Sequence, residues 1–131
     1  NRLSRFVSVE MPVLRERCSH RESDETIKRS EATQLLEQAQ GANLRVALDP
    51  RGSTPDSHEL AAMLGKWEGQ GISTLCFLIG GHLGLHGSVL EQCQVQLSLS
   101  RLTFTHEMTR LILLEQLYRA CTIKAGHKYH K

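Results

Sequence analysis

Ser73-Thr74-Leu75-Cys76-Phe77-Leu78-Ile79-Gly80-Gly81-His82-Leu83-Gly84 is the stretch whose reading decides the fold. It holds the most hydrophobic run in the chain. A continuous apolar run of this length suits a central strand covered on both faces, as in a parallel sheet. The run passes directly into Gly80-Gly81-x-x-Gly84. Glycines there either let a ligand approach bare backbone or make a tight strand-to-helix turn that needs positive φ, and both readings stand. The spacing is not the G-x-G-x-x-G dinucleotide fingerprint. No G-K-[ST] follows, so it is not a Walker phosphate loop either.

On the N-terminal side, Phe6-Val7-Ser8-Val9-Glu10-Met11 alternates as a strand ended by Pro12. A charged loop follows, and Asp24 is placed to cap a helix running to about Gln40 and stopped by Gly41. Leu44-Arg45-Val46-Ala47-Leu48 reads as a strand, and Asp49-Pro50-Arg51-Gly52 as a turn by composition. Asp56 with Glu59 forms a capping box ahead of a helix carrying Leu60, Met63, Leu64 and Trp67. On the C-terminal side a short helix is expected near Ser88–Cys93, then a strand Val95–Leu99, then a strong helix from His106 to Cys121. Apolar residues wrap most of that last helix, so solvent cannot surround it. Strand and helix alternate throughout. The fold class is therefore α/β, a largely parallel sheet flanked by helices. Ligands of such sheets sit beyond the carboxyl ends of strands, here the loops after Leu48, Ile79 and Leu99.

Composition excludes several classes. The chain has 131 residues, 40% apolar and 23% charged with net charge +2, which is one domain of ordinary globular character and no bulk polyanion binder. No apolar run reaches the length of a membrane span and no signal peptide opens it. The four cysteines form no C-x-x-C or zinc-like cluster and read as reduced thiols of a cytoplasmic protein. Charge is uneven: residues 101–131 carry net +4, from Arg101, Arg110, Arg119, Lys124, Lys128 and Lys131 against Glu107 and Glu115. That segment reads either as a phosphate contact or as a solvated helix face with a ragged tail.

Two further segments carry candidate chemistry. Ser98-Leu99-Ser100-Arg101-Leu102-Thr103-Phe104 mixes hydroxyls with large apolar side chains. Such a loop either wraps an aromatic ring or is a buried connection. Tyr129-His130-Lys131 places a phenol, an imidazole and an ammonium together; a terminal tripeptide matters only if something pins it.

Together Phe77-Leu-Ile-Gly-Gly81, Gly84-Leu85, Leu97-Ser-Leu-Ser100, Leu102-Thr-Phe104, His106, Arg110, Leu114-Glu-Gln-Leu-Tyr-Arg-Ala120 and Tyr129-His-Lys131 resemble a known family. It is the bacterial ribosomal RNA large-subunit methyltransferase H family, pseudouridine N3 methyltransferases of the SPOUT class. The likeness extends more weakly through Leu48-Asp49-x-x-Gly52 to Arg2-Leu-Ser-Arg-Phe6. The resemblance implies a single domain over 1–131 that lacks the family's first strand, a SPOUT-type α/β fold with a deep trefoil knot in the C-terminal half, and a homodimer without metal. It implies S-adenosylmethionine as cofactor, contacted by Leu48, Gly80 and Leu99, Ser100, Arg101, Leu102, Thr103 and Phe104. It implies His130 and Tyr129 as catalytic residues from a tail lying over the partner's site, and 23S ribosomal RNA in the assembled ribosome as substrate, met by Arg119, Lys124, Lys128 and Lys131. In this sequence Thr105 replaces the family's usual proline, which points to a looser loop-to-helix joint, and Leu83 replaces a polar residue of the glycine loop. These departures keep open a relative that binds RNA or the ribosome without turnover. A small nucleotide-binding protein is the second alternative.

Overall fold

The computed structural model describes residues 23–80 and 84–126. Its elements are α1 (Asp24–Gln38), β1 (Leu44–Ser53), α2 (Ser57–Gly69), β2 (Leu75–Ile79), α3 (Gly87–Glu91), β3 (Val95–Leu97) and α4 (His106–Lys124). The expected strand Phe6–Met11 and Cys18 lie outside the described residues. Both neighbours of β1 run parallel to it, and the sheet order is β2-β1-β3. Parallel partners need a crossover between them, and α2 and α3 supply the connections.

The alternation of side chains along the strands decides which helices cover which face. Leu44 and Val46 of β1 pack with Leu75 and Phe77 of β2 on one face, against Leu60, Leu64 and Trp67 of α2 and Leu117 and Ala120 of α4. Ala47, Cys76 and Leu78 point to the other face, against Ala32, Leu35 and Leu36 of α1 and Val89 of α3. The result is three layers, with the sheet between α2/α4 and α1/α3.

The sequence expectations need correction at several points. Among the described strands, β1 and not the more hydrophobic β2 is central: Val46 and Ala47 are fully buried, whereas only Leu78 of β2 is. Hydropathy measures how apolar a strand is, while its place in the sheet is set by which partners the crossovers lay beside it. The turn at Asp49–Gly52 lies inside β1 rather than after it. Leu97 pairs with both Leu48 and Ser53, so residues 49–52 form a detour between two rungs. Helix α1 is capped by Ser23, whose Oγ accepts the Thr26 N–H at 3.2 Å, and Asp24 opens its first turn. It ends at Gln38 with Ala39 as its C-cap, before Gly41 is reached. Helix α4 runs on to Lys124, where the buried Thr122 donates to the Arg119 carbonyl at 2.7 Å and Gly126 turns the chain at φ 74°.

The expected capping box of α2 holds. Asp56 Oδ1 accepts the Glu59 N–H at 2.7 Å and Glu59 Oε1 accepts the Asp56 N–H at 2.9 Å, the reciprocal pair of a capping box. Glu115 and Arg119 pair at 2.6 Å. Cys76, Cys93 and Cys121 are free thiols, and burial pushes the pKa of each up. No helix of the described residues is long and apolar enough to cross a membrane.

The detour in β1 depends on Gly52. A Cβ there would lie 2.7 Å from the Gln96 carbonyl carbon and 2.8 Å from that of Leu97, both backbone atoms that cannot swing aside. Gly52→Ala should therefore lose about 1–3 kcal/mol of stability, the usual range for overpacking. Gly65→Ala, where a methyl meets nothing within 4 Å, should be neutral or gain up to about 1 kcal/mol from helix propensity. Urea unfolding of the two variants against the parent measures both.

Candidate functional site at the carboxyl ends of the strands

The parallel register fixes the site. Leu48 lies opposite Ile79 on one side and opposite Leu97 on the other. Leu48, Ile79 and Leu97 therefore stand level, and Asp49, where β1 starts its detour, lies beside Gly80 and Ser98, which follow the ends of β2 and β3, along one edge. This is the edge where open parallel sheets bind ligands.

Each exit is held by a specific contact. Within β1, just past the Leu48 rung, Asp49 is 6% exposed and its Oδ1 accepts both the Arg51 backbone N–H at 2.8 Å and the Arg51 Nε–H at 3.1 Å. The hydrogen bonds from Arg51 hold this carboxyl below its ordinary value of 3.8, against the effect of burial. After β2, Gly80 approaches Gly84 so closely that a Cβ would stand 2.6 Å from the Gly84 carbonyl carbon, and Gly84 adopts φ 84°. The geometry meets the turn reading: Gly84 needs positive φ, and Gly80 must lack a Cβ because the Gly84–Leu85 backbone fills that space. After β3, Ser98 is buried. Its Oγ donates to the Ser100 carbonyl at 2.7 Å, and the Ser100 Oγ accepts the Leu102 N–H at 3.0 Å. These hydroxyls end β3 at Leu97, two residues earlier than the alternation implies.

The loop that follows is exposed from Arg101 to Phe104, so it is not a buried connection. Leu102 and Phe104 present apolar surface to solvent, as do Met108 and Leu111 on the first turns of α4. A shallow groove of about 380 Å³ runs along this face, lined by Thr105, Met108, Leu111 and Leu114 with Glu107 and Arg110. Thr105 caps α4, its Oγ1 accepting the Met108 N–H at 3.2 Å. At the position where the family usually has proline, the joint thus carries a side-chain hydrogen bond.

Of the residues singled out from sequence, the register brings together Leu48, Gly80 and the start of Leu99–Phe104. It does not bring Arg119 or Lys124 to that edge. Arg119 is engaged with Glu115, and Lys124 reaches Glu68 at 2.6 Å, at the opposite end of α2 from the site. Gly81, His82, Leu83, Lys128, Tyr129, His130 and Lys131 lie outside the described residues. Sequence reasoning missed Asp49 and Ser98 as loop holders, and His86, which caps α3. The spacing of Asp49 two residues before Arg51 was the available signal for the first. Among the described residues no three His, Cys, Asp or Glu side chains converge as a metal site would require.

Asp49 gives a signed pH prediction. A carboxyl with a depressed folded pKa adds stability above its ordinary pKa, and loses it as pH falls through the lower folded value. Asp49→Asn should cost about 0.5–1.5 kcal/mol near pH 7, the net worth of an ordinary hydrogen bond, because the Arg51 side chain is largely exposed. The gap from the parent should shrink below about pH 4, which denaturant titrations at several pH values would read.

Comparison with known proteins places these features in a lineage. Residues 1–130 match the family model described as "Predicted SPOUT methyltransferase". A ribosomal RNA large subunit methyltransferase H of Desulfotalea psychrophila is 55% identical over 86 residues, covering 66% of this chain and 56% of that protein. The protein of that name from Heliobacterium modesticaldum is 46% identical over 106 residues, covering 80% of this chain and 66% of its own length. The one from Syntrophotalea carbinolica is 39% identical over 129 residues, covering 98% of this chain and 83% of the relative.

Proposed function

This chain belongs to the SPOUT methyltransferase family, and we propose that it transfers a methyl group from S-adenosylmethionine to large-subunit ribosomal RNA, at N3 of a pseudouridine in 23S RNA. The observation that carries this reading is the level register of Leu48, Ile79 and Leu97 on three parallel strands, which brings the residues following β2 and β3 to one edge beside the detour of β1.

The residues present fit the cofactor. Gly80 brings its backbone to the edge, held against the Gly84–Leu85 backbone where a Cβ would collide. The loop from Leu99 offers peptide groups to hydrogen-bond an adenine edge, with Leu99, Leu102 and Phe104 to lie on its faces and Ser100, Arg101 and Thr103 between them. Leu48 closes the floor. When bound, S-adenosylmethionine supplies a methyl already activated by its sulfonium. The protein's work is therefore chiefly orientation. The N3 imide proton must leave for that nitrogen to attack. In this proposal His130 accepts or relays it and Tyr129 orients the base. Arg119, Lys124, Lys128 and Lys131 were the phosphate contacts implied by the resemblance. The ion pairs of Arg119 and Lys124 shift that role within the proposal toward Lys128, Lys131 and the exposed Arg101.

The proposal includes a deep trefoil knot over the C-terminal half, a cytoplasmic location with the ribosome, and a homodimer in which each tail closes over the partner's site. The unpaired apolar face of Leu102, Phe104, Met108 and Leu111 supports the dimer. Leu111→Glu should turn the dimer into monomer in sedimentation velocity while circular dichroism stays unchanged. A monomeric parent chain would refute this part.

The enzymatic test pairs calorimetry with label transfer. The chain should bind S-adenosylmethionine and move labelled methyl into ribosomes, the label appearing in N3-methylpseudouridine after digestion. His130→Ala should lower turnover by about 100-fold, within the range for general acid–base groups, and leave cofactor affinity within about twofold. RNA binding without label transfer would favour the inactive relative instead.

A further inference from the structure

His86 stands outside every role assigned so far, yet it holds the exit of the glycine turn. Its Nδ1 lies 3.1 Å from the Ser88 backbone nitrogen and 2.8 Å from the Ser88 hydroxyl, and its Nε2 lies 2.8 Å from Glu25 Oε1 on α1. A backbone N–H only donates, so Nδ1 is an acceptor and carries no proton. The proton is then on Nε2 and is donated to Glu25. One imidazole thus caps α3 with one nitrogen and ties α3 to the first turn of α1, 61 residues earlier in the chain, with the other. The bond from His86 is the largest cause of the lowered Glu25 pKa.

What this cap secures lies one and two residues upstream. Leu85 is buried in the core cluster shared by α1 and α3, and Gly84, at φ 84°, is the residue whose carbonyl stands against Gly80. Gly80 has no side chain of its own with which to be fixed. Its position at the sheet edge is set by β2 on one side and by the Gly84–Leu85 backbone on the other. We propose that His86 is a positioning residue for the methyl-donor site: by capping α3 and tethering it to Glu25 it fixes Gly84 and Leu85, and through them the backbone at Gly80 that the donor meets. The inference rests on the reading that this edge binds S-adenosylmethionine.

The test uses the full chain and S-adenosylmethionine itself. His86→Ala should weaken binding in calorimetry about five- to tenfold, while kcat at saturating donor stays within about twofold. His86→Asn, whose side-chain oxygen can take the place of Nδ1 as cap acceptor, should restore affinity to within about twofold of the parent. Glu25→Ala, which removes only the exposed tether, should weaken binding about twofold. Amide hydrogen exchange at Ser88, Val89 and Leu90 should quicken in His86→Ala and return toward the parent rate in His86→Asn. A parent chain that fails to bind the donor overturns the functional reading, and the link to the donor with it. A parent that binds and a His86→Ala variant of equal affinity overturn this inference alone. So does an affinity loss that His86→Asn does not repair, or exchange that none of the substitutions changes.

Discussion

Everything at the candidate site depends on the burial of β1 from both sides. Val46 and Ala47 are neighbours in sequence and fully enclosed, one by α2 and α4 and the other by α1 and α3. A strand enclosed in this way cannot slip by a residue, because a slip exchanges its two faces. A fixed β1 in turn fixes the ends of β2 and β3, since both are hydrogen-bonded to it in register. The level edge along which Asp49, Gly80 and Ser98 lie is thus a result of core packing rather than of any contact at the site.

The helices secure that edge through unequal means. On one face α2 and α4 share the larger apolar cluster, with Trp67 at its base, and polar ties at Ser57–Gln116 and Glu68–Lys124. On the other face the cluster is built around small residues, Ala32, Ala39 and Ala47, with Leu78, Leu85 and Val89. Small side chains bury less apolar area each, at about 25 cal/mol per Å². The Glu25–His86 contact lies on this second face. Its worth is geometric, because Glu25 is largely exposed and an exposed ion pair adds little stability.

Much of this was legible in the residues. The order of strands and helices follows from their periodicity, and the capping box of α2 from Asp56 and Glu59 alone. The Ser98–Phe104 loop announced itself by pairing hydroxyls with large apolar side chains, and its hydroxyls do hold the turn while its apolar groups face outward. Which of the described strands is central was not legible, because Arg45 makes β1 look less buried than Leu75–Ile79. Arg45 reconciles itself by donating its Nε–H to the Ala39 carbonyl at 3.3 Å, while its backbone N–H reaches Gln94 Oε1 at 2.8 Å. The His86 tether was hidden for another reason. It joins residues far apart in the chain, and histidine is not among the residue types that usually signal a helix start.

The detour of residues 49–52 has a consequence for how this chain tolerates change. In an uninterrupted strand, adding or deleting one residue inverts which side chains face the core. Here the ladder leaves Leu97 at Leu48 and returns to the same Leu97 at Ser53. Length variation confined between those two rungs is absorbed by the excursion and never reaches Leu44, Val46 or Leu48. The rim of the site is therefore free to be remodelled by insertion while the floor beneath it keeps its alignment.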